Sequence, residues 1–431
     1  MVEFPSNGSP ISAVQRFRHD VTASKLFLAD HWSEELRAGG ADDGSPSQAI
    51  VAAELIRVRL PLRHALVSAH GTESIREIVL VRLIARDGVE GWGECSALEA
   101  PTYSDEYTDG AWMMLRDHLV PALLASRTSP DIGRGHPMAR TAISTAMIDV
   151  HLRRQQISLA QALGASPDAG LSWTAVVGMP TMANSDVTHT ADEAVDLGAE
   201  GLKIKVDPTC GAGVVGEFLA EFAAMPLAVD ANGSYHGHEQ AMVELADKLS
   251  NATHQWRSKH PIRGAIAPRV YVEQPLPRVD LAGTAVLAGQ LALPVALDES
   301  IGSSADVVSA CDLAACRIVN LKPARVGGIE NAMTLLGSVG VRHSGEVPTM
   351  FLGGMVETGV GRATALAVGV ALGLEATDLG PSGWYFDDDI SEPIALGDDG
   401  LMHAPTGHGI GVTPRTDRLL TTLVERITLR R

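Results

Sequence analysis

RVYVEQPLPRVDLAGTAVLAGQLALPVALDESIGSSADVVSACDLAACRIVNLKP, residues 269–323, carries one pattern three times. A short β-like run ends on a charged residue, and a helix-like stretch of small and apolar residues follows. The charged ends are Glu273, Asp298 with Glu299 beside it, and Lys322, at steps of 25 and 24 residues. About 25 residues accommodates one strand, one helix and their connections. Upstream, LAVDANG ends on Asp230, and LKIKV carries Lys203 and Lys205, the latter 25 residues before Asp230. The step from Asp230 to Glu273 is longer, at 43 residues. A parallel β/α barrel opens all its strands' C-terminal ends on one face, so these charges converge on one pocket.

The same alternation runs from Trp173 through SWTAVVGM, GLKIKV, PLAVDAN, RVYVEQP, PVALDES, RIVNLKP and VPTMFLGG, with a weak eighth strand near Thr377–Gly380. The expected fold is α/β, a modified (β/α)8 barrel over residues 151–385 with an N-terminal α+β capping domain over 50–150. In that cap, ELIRVRLPLRH and REIVLVRLIARDGVEGWGE surround a DG turn signal and predict antiparallel strands. Helical periodicity covers Asp117–Ala125 and Arg140–Leu163. Residues 1–49 read as a flexible extension ending in GGADDGSPS, with amphipathic spacing over Ser24–Arg37. An insert near 251–268, rich in His, Arg and Lys, accounts for the long step and belongs outside or below the barrel. Residues 386–431, with PTGHGIGVTP, are expected to return to the cap.

The chain has 431 residues, 45% of them hydrophobic, enough for two cores. A net charge of −18 argues against nucleic acid or an anionic membrane as partner. The start, MVEFPSNGSP, lacks a signal-peptide pattern, no run is long enough to span a bilayer, and four cysteines form no disulfide-like framework. A cytoplasmic protein is expected. A homo-oligomer is also expected, although no residue fixes its order.

An acid at one strand end is commonly a helix cap. Three of them, Asp230, Glu273 and Asp298, on successive strand ends suit a divalent ion such as Mg²⁺, with Mn²⁺ accepting the same oxygens. Lys203 and Lys205 lie two apart on a strand and share its inner face. Mutual repulsion and the ion's charge are expected to lower one lysine's pKa so that it serves as a base on a carboxylate substrate. Lys322 approaches from the other side. This is metal-assisted removal of an α-proton, with the resulting charge held by nearby cations.

NLKPARVGGIENA, LGGMVETGVGRATALAVG, DLGPSGWYFDDDI and PTGHGIGV resemble the o-succinylbenzoate synthase and N-succinylamino acid racemase family of the enolase superfamily, in its muconate-lactonizing-like subgroup. GWGECSALEAPTYSDEYTDGAW and RLPLRHALVSAHGTES are similar to that family's capping domain, so the likeness runs from about residue 53 to 415. It implies Lys205 as the base, Lys203 as stabiliser of the substrate carboxylate, Lys322 as cation or second base, and Asp230, Glu273 and Asp298 as Mg²⁺ ligands. Glu299, Asn320, Gly353, Gly354 and Met355 become substrate or supporting contacts, with His64–Ser74 and Ser96–Thr108 as loops closing over the pocket. Val176 stands where relatives carry a small hydroxyl residue, and Ala324 opens a segment that commonly begins with Gly.

The resemblance implies two reactions on the same residues. One is dehydration of 2-succinyl-6-hydroxy-2,4-cyclohexadiene-1-carboxylate to o-succinylbenzoate, a lyase step toward menaquinone. The other is racemisation of N-succinyl or other N-acyl amino acids, with Lys205 and Lys322 as opposed bases. The lyase is the leading expectation. A non-catalytic scaffold predicts erosion of a key charged group, and none is eroded.

Overall fold

The computed structural model describes residues 50–125, 134–179, 187–210, 212–259, 270–337 and 347–431. The extension 1–49, with the amphipathic spacing of Ser24–Arg37, lies outside the described residues. The first part of the insert lies in helix Glu239–Lys259, and the rest lies outside.

Three N-terminal strands, β1 (Ile50–Ser68), β2 (Gly71–Ala85) and β3 (Glu90–Cys95), form an antiparallel sheet. Its one-residue alternation explains an almost unbroken apolar run over residues 78–83. Val79, Val81 and Leu83 pack with Trp112, Leu115, Ala142 and Ala146 of the cap's helices. Ile78 and Leu80 point the other way, into a cluster shared with Val319, Val360 and Val368 of the barrel. Successive strand side chains face opposite sides, so a sheet buried on both faces is apolar throughout. Gly93 is required here, because a Cβ would meet the Ala142 carbonyl oxygen at 1.9 Å where helix α1 (Pro137–Gln155) crosses the strand.

Two helical expectations change at their ends. The run expected over Asp117–Ala125 begins at Thr108, because Ala111 and Trp112 already supply a buried face. The run over Arg140–Leu163 is broken after α1 by Gln156 at φ 58° and resumes as Leu159–Ala162.

Eight parallel strands follow: β4 (Gly170–Val177), β5 (Gly201–Lys205), β6 (Leu227–Asp230), β7 (Val270–Glu273), β8 (Val295–Leu297), β9 (Ile318–Leu321), β10 (Thr349–Leu352) and β11 (Ala376–Thr377). They pair in chain order, and β11 pairs back to β4, closing the barrel. The interior toward the strands' N-terminal ends is apolar, with Ala228, Tyr271, Ala296 and Phe351 in contact. Beyond the barrel, β12 (Met402–His403) pairs with β4, and β13 (Leu423–Arg430) adds an antiparallel edge to β1 of the cap. The four cysteines are free thiols, and among the described residues no helix is long and apolar enough to cross a membrane.

Candidate active site

In-register pairing builds the site. Lys205 stands opposite Asp230 between β5 and β6, and Asp230 opposite Glu273 between β6 and β7. Asp298 and Lys322 each follow their strand by one residue, on β8 and β9. Asp230, Glu273, Asp298, Lys203, Asn320 and Lys322 are all buried. Charges this deep persist only with partners. Lys205 Nζ lies 2.6 Å from Asp230, Lys203 Nζ 2.5 Å from Glu273, and Lys322 Nζ 2.9 Å from Asp298. Arg325 also pairs with Asp298.

These pairs decide the protonation of the pocket. Burial works against a charged Lys203, yet Asp378 and Glu273 outweigh it and hold its pKa well above the ordinary lysine range. Burial likewise opposes Lys205, and Asp230 carries its pKa upward. The expected lowering of one lysine's pKa rested on the other lysine and a bound ion acting together; in this arrangement each lysine's close charged partner is a carboxylate. Burial opposes Asp298 too, but Lys322 and Arg325 hold it below the usual carboxylate range. Glu273 behaves differently: burial pushes its carboxyl upward, with Lys203 pulling down and Asp230 and Asp298 adding to the rise.

The supporting residues take defined places. Asn320 Nδ2 donates to Glu273 Oε1 at 2.7 Å, and Asn232 Nδ2 donates to Glu299 Oε1 at 2.9 Å. A Cβ on Gly353 would sit 1.8 Å from Asn320 Oδ1 and 2.9 Å from Lys322 Cε, so only glycine fits against the site there. The Gly354 amide donates to Asp378 at 2.8 Å. Met355 packs in the cap's apolar cluster together with Tyr103, at the seam between cap and barrel. Asn232 and Gln274, just beyond Asp230 and Glu273, hold positive φ of 44° and 37°. Such backbone strain persists where the surroundings enforce it, commonly at functional sites.

The cap reaches in at two points. His64–Ser74 is the tip of the β1–β2 hairpin rather than a loop, and His70 Nε2 lies 3.4 Å from Glu299. Tyr103, in the segment Ser96–Thr108, donates to Asp298 Oδ1 at 3.1 Å and accepts from Lys322 at 3.2 Å and from Arg325 at 2.7 Å. Two important groups escaped the reading from sequence, Tyr103 and Asp378. Asp378 follows Thr377 in the same strand-then-acid pattern as the others, but its strand is only two residues long.

Among the described residues no three metal-binding side chains are gathered into a ready-made cage. The donor chemistry nonetheless fits a hard divalent ion: three buried carboxylates at consecutive strand ends, with Glu273 Oε2 accepting no hydrogen bond and balanced only by the nearby Lys203 ammonium.

Comparison with known proteins agrees with this geometry. Residues 186–418 match the enolase C-terminal domain-like family, and residues 49–164 match the mandelate racemase / muconate lactonizing enzyme N-terminal domain. An N-succinylamino acid racemase from Amycolatopsis sp is 34% identical over 84% of this chain and 94% of its own. The chain belongs to the o-succinylbenzoate synthase and N-succinylamino acid racemase family of the enolase superfamily. Within that family, an o-succinylbenzoate synthase from Geobacillus stearothermophilus is 32% identical, covering 83% of this chain and 91% of its own. An enolase superfamily member from Listeria innocua superposes with a TM-score of 0.75 at 26% identity, over 89% of this chain and 99% of its own. The family's two reactions thus both appear among relatives of similar identity.

Proposed function

We propose that this protein is an o-succinylbenzoate synthase, dehydrating 2-succinyl-6-hydroxy-2,4-cyclohexadiene-1-carboxylate with loss of one water. The reading rests on one observation, the unequal anchoring of two opposed lysines. Lys205, on β5, has Asp230 as its charged hydrogen-bond partner. Lys322, after β9, donates to both Asp298 and Tyr103, with Arg325 bonded to the same two groups. A lysine held by a single carboxylate, one of the three that would hold the ion, suits a base that must take a proton and give it back. A lysine in a braced network suits a fixed cation.

In this reading Asp230, Glu273 and Asp298 would hold Mg²⁺ or Mn²⁺. Such an ion, when bound, draws charge from the substrate carboxylate and acidifies the neighbouring C–H bond. Lys205 Nζ, having first given up its own proton to solvent, takes the substrate proton as the neutral amine. Lys203 and Lys322 keep their protons and offset the negative charge developing on the carboxylate oxygens. Lys205 then returns its proton to the departing hydroxyl, and aromatisation of the ring drives the step.

A second reading, N-succinylamino acid racemisation, is favoured by a different observation. Strands β5 and β9 lie four apart in a closed ring of eight, so Lys205 and Lys322 face each other across the barrel. A racemase needs bases on both faces of the α-carbon. The deciding measurement is kcat/KM with Mg²⁺ on the cyclohexadiene substrate and on a panel of N-succinyl amino acids. A much larger value for dehydration supports the synthase. A comparable or larger value for racemisation overturns it in favour of the racemase.

A further inference from the structure

Asp378 sits one residue beyond β11, buried, and takes no part in the chemistry above. Its two oxygens do different things. Oδ1 accepts from the Gly354 amide at 2.8 Å, and Oδ2 accepts from Lys203 Nζ at 2.5 Å. Lys203 is itself 1% exposed, with its ammonium 4.5 Å from the centre of the Phe351 ring and 5.9 Å from that of Tyr271. Two carboxylates therefore flank this one ammonium, since Glu273 Oε2 also lies 2.5 Å away. The contacts are not equivalent. The one to Asp378 has hydrogen-bond geometry, whereas Glu273 Oε2 receives no hydrogen bond. The other oxygen of Glu273 is oriented by Asn320.

A buried ammonium needs one compensating charge, and a carboxylate that neutralises it is a poorer ligand for a cation. We propose that Asp378 is a positioning residue that shares the Lys203 ammonium with Glu273 over the Phe351 and Tyr271 rings, so that Glu273 can turn to a divalent ion without leaving the lysine unpaired. The inference rests on the metal reading above. Without the Asp378 charge, Lys203 has Glu273 as its remaining close carboxylate, and a metal must displace the lysine before it can bind. Groups that orient metal ligands in this way are worth about 10- to 100-fold in affinity.

The test is Mn²⁺ binding by the full chain, measured by calorimetry without substrate. Asp378→Asn keeps the side chain's shape and an oxygen for the Gly354 amide, and should weaken Mn²⁺ binding by about 10- to 100-fold. Removing the competitor as well, in Asp378→Asn/Lys203→Met, should return affinity to near the wild-type value. Equal affinity of wild type and Asp378→Asn overturns the proposal, and so does a loss that the double variant fails to rescue. If wild type binds no Mn²⁺, the metal reading fails first and carries this inference with it. Should the variants not fold, a crystal structure of the Mn²⁺-loaded wild type decides: Lys203 Nζ remains on Asp378 if the proposal holds and leaves it if it does not.

Discussion

The mouth of the barrel and the seam between barrel and cap both bury several charges, but they satisfy them differently. At the mouth, charge meets charge: Lys203, Lys205 and Lys322 pair with Glu273, Asp230 and Asp298. At the seam, charge meets backbone. Arg76 donates to the carbonyls of Met355, Glu77, Ala97 and Ser96, and Arg362 to those of Glu357, Leu379 and Gly380. Glu94 accepts from the amides of Thr358 and Gly361 and so caps helix α2 (Gly359–Ala371), tying the cap to the barrel. Backbone groups cannot change partners without unfolding something, whereas paired side chains can redistribute when a ligand arrives. Buried ions of the first kind hold a structure together, and those of the second kind can work.

That contrast breaks if mouth variants unfold the protein or seam variants spare its stability. The largest effect is expected at the mouth. Lys205→Ala should lower kcat/KM for either reaction by about 10²- to 10⁴-fold with the fold intact, as kinetics and circular dichroism on one sample would report. Retained turnover would mean that Lys205 is not the base. Lys322→Arg keeps a cation but not a usable base, so racemisation should vanish while measurable dehydration survives; equal survival of both activities contradicts the two-base scheme. At the seam, Arg362→Met leaves three buried carbonyls without donors and should cost about 3 kcal/mol or more in chemical denaturation. A stability close to wild type would erase the distinction.

The smallest effect depends on pH. Burial, with Glu357 nearby, pushes the Glu94 carboxyl from 4.5 up to about 7, while Thr358, Gly361 and Ser96 pull it down. The folded state therefore holds this proton more tightly than the unfolded chain. Its contribution is complete below about 4.5 and is lost as pH rises through about 7. Glu94→Gln has no proton to lose and should flatten this part of the decline between those values, by on the order of 3 kcal/mol at most. Glu106, also pushed up by burial to about 7, slopes the same way, so some decline should persist. An unchanged slope in Glu94→Gln would show that Glu94 is not the group responsible.

Much of the site was legible because barrel strands impose a rhythm on the chain. An acid or lysine recurring at nearly equal steps is an arrangement that local structure alone can carry, and Lys203, Lys205, Asp230, Glu273, Asp298 and Lys322 all meet at the mouth. Tyr103 and Asp378 were not legible for opposite reasons. Tyr103 acts 195 residues away from Asp298 in the chain, through a contact between domains that has no local signature. Asp378 falls in the weak eighth strand that the sequence did show, but two residues of strand are too few to mark it as one more acid of the series. The lysines' protonation also escaped sequence reasoning, because it depends on which carboxylate lies within hydrogen-bonding reach. Sequence by itself determined the barrel, the cap and the identity of the charged groups, since strand and helix periods are local properties. Only the tertiary structure decided which charges neighbour one another, because electrostatic energy depends on separation in space rather than along the chain.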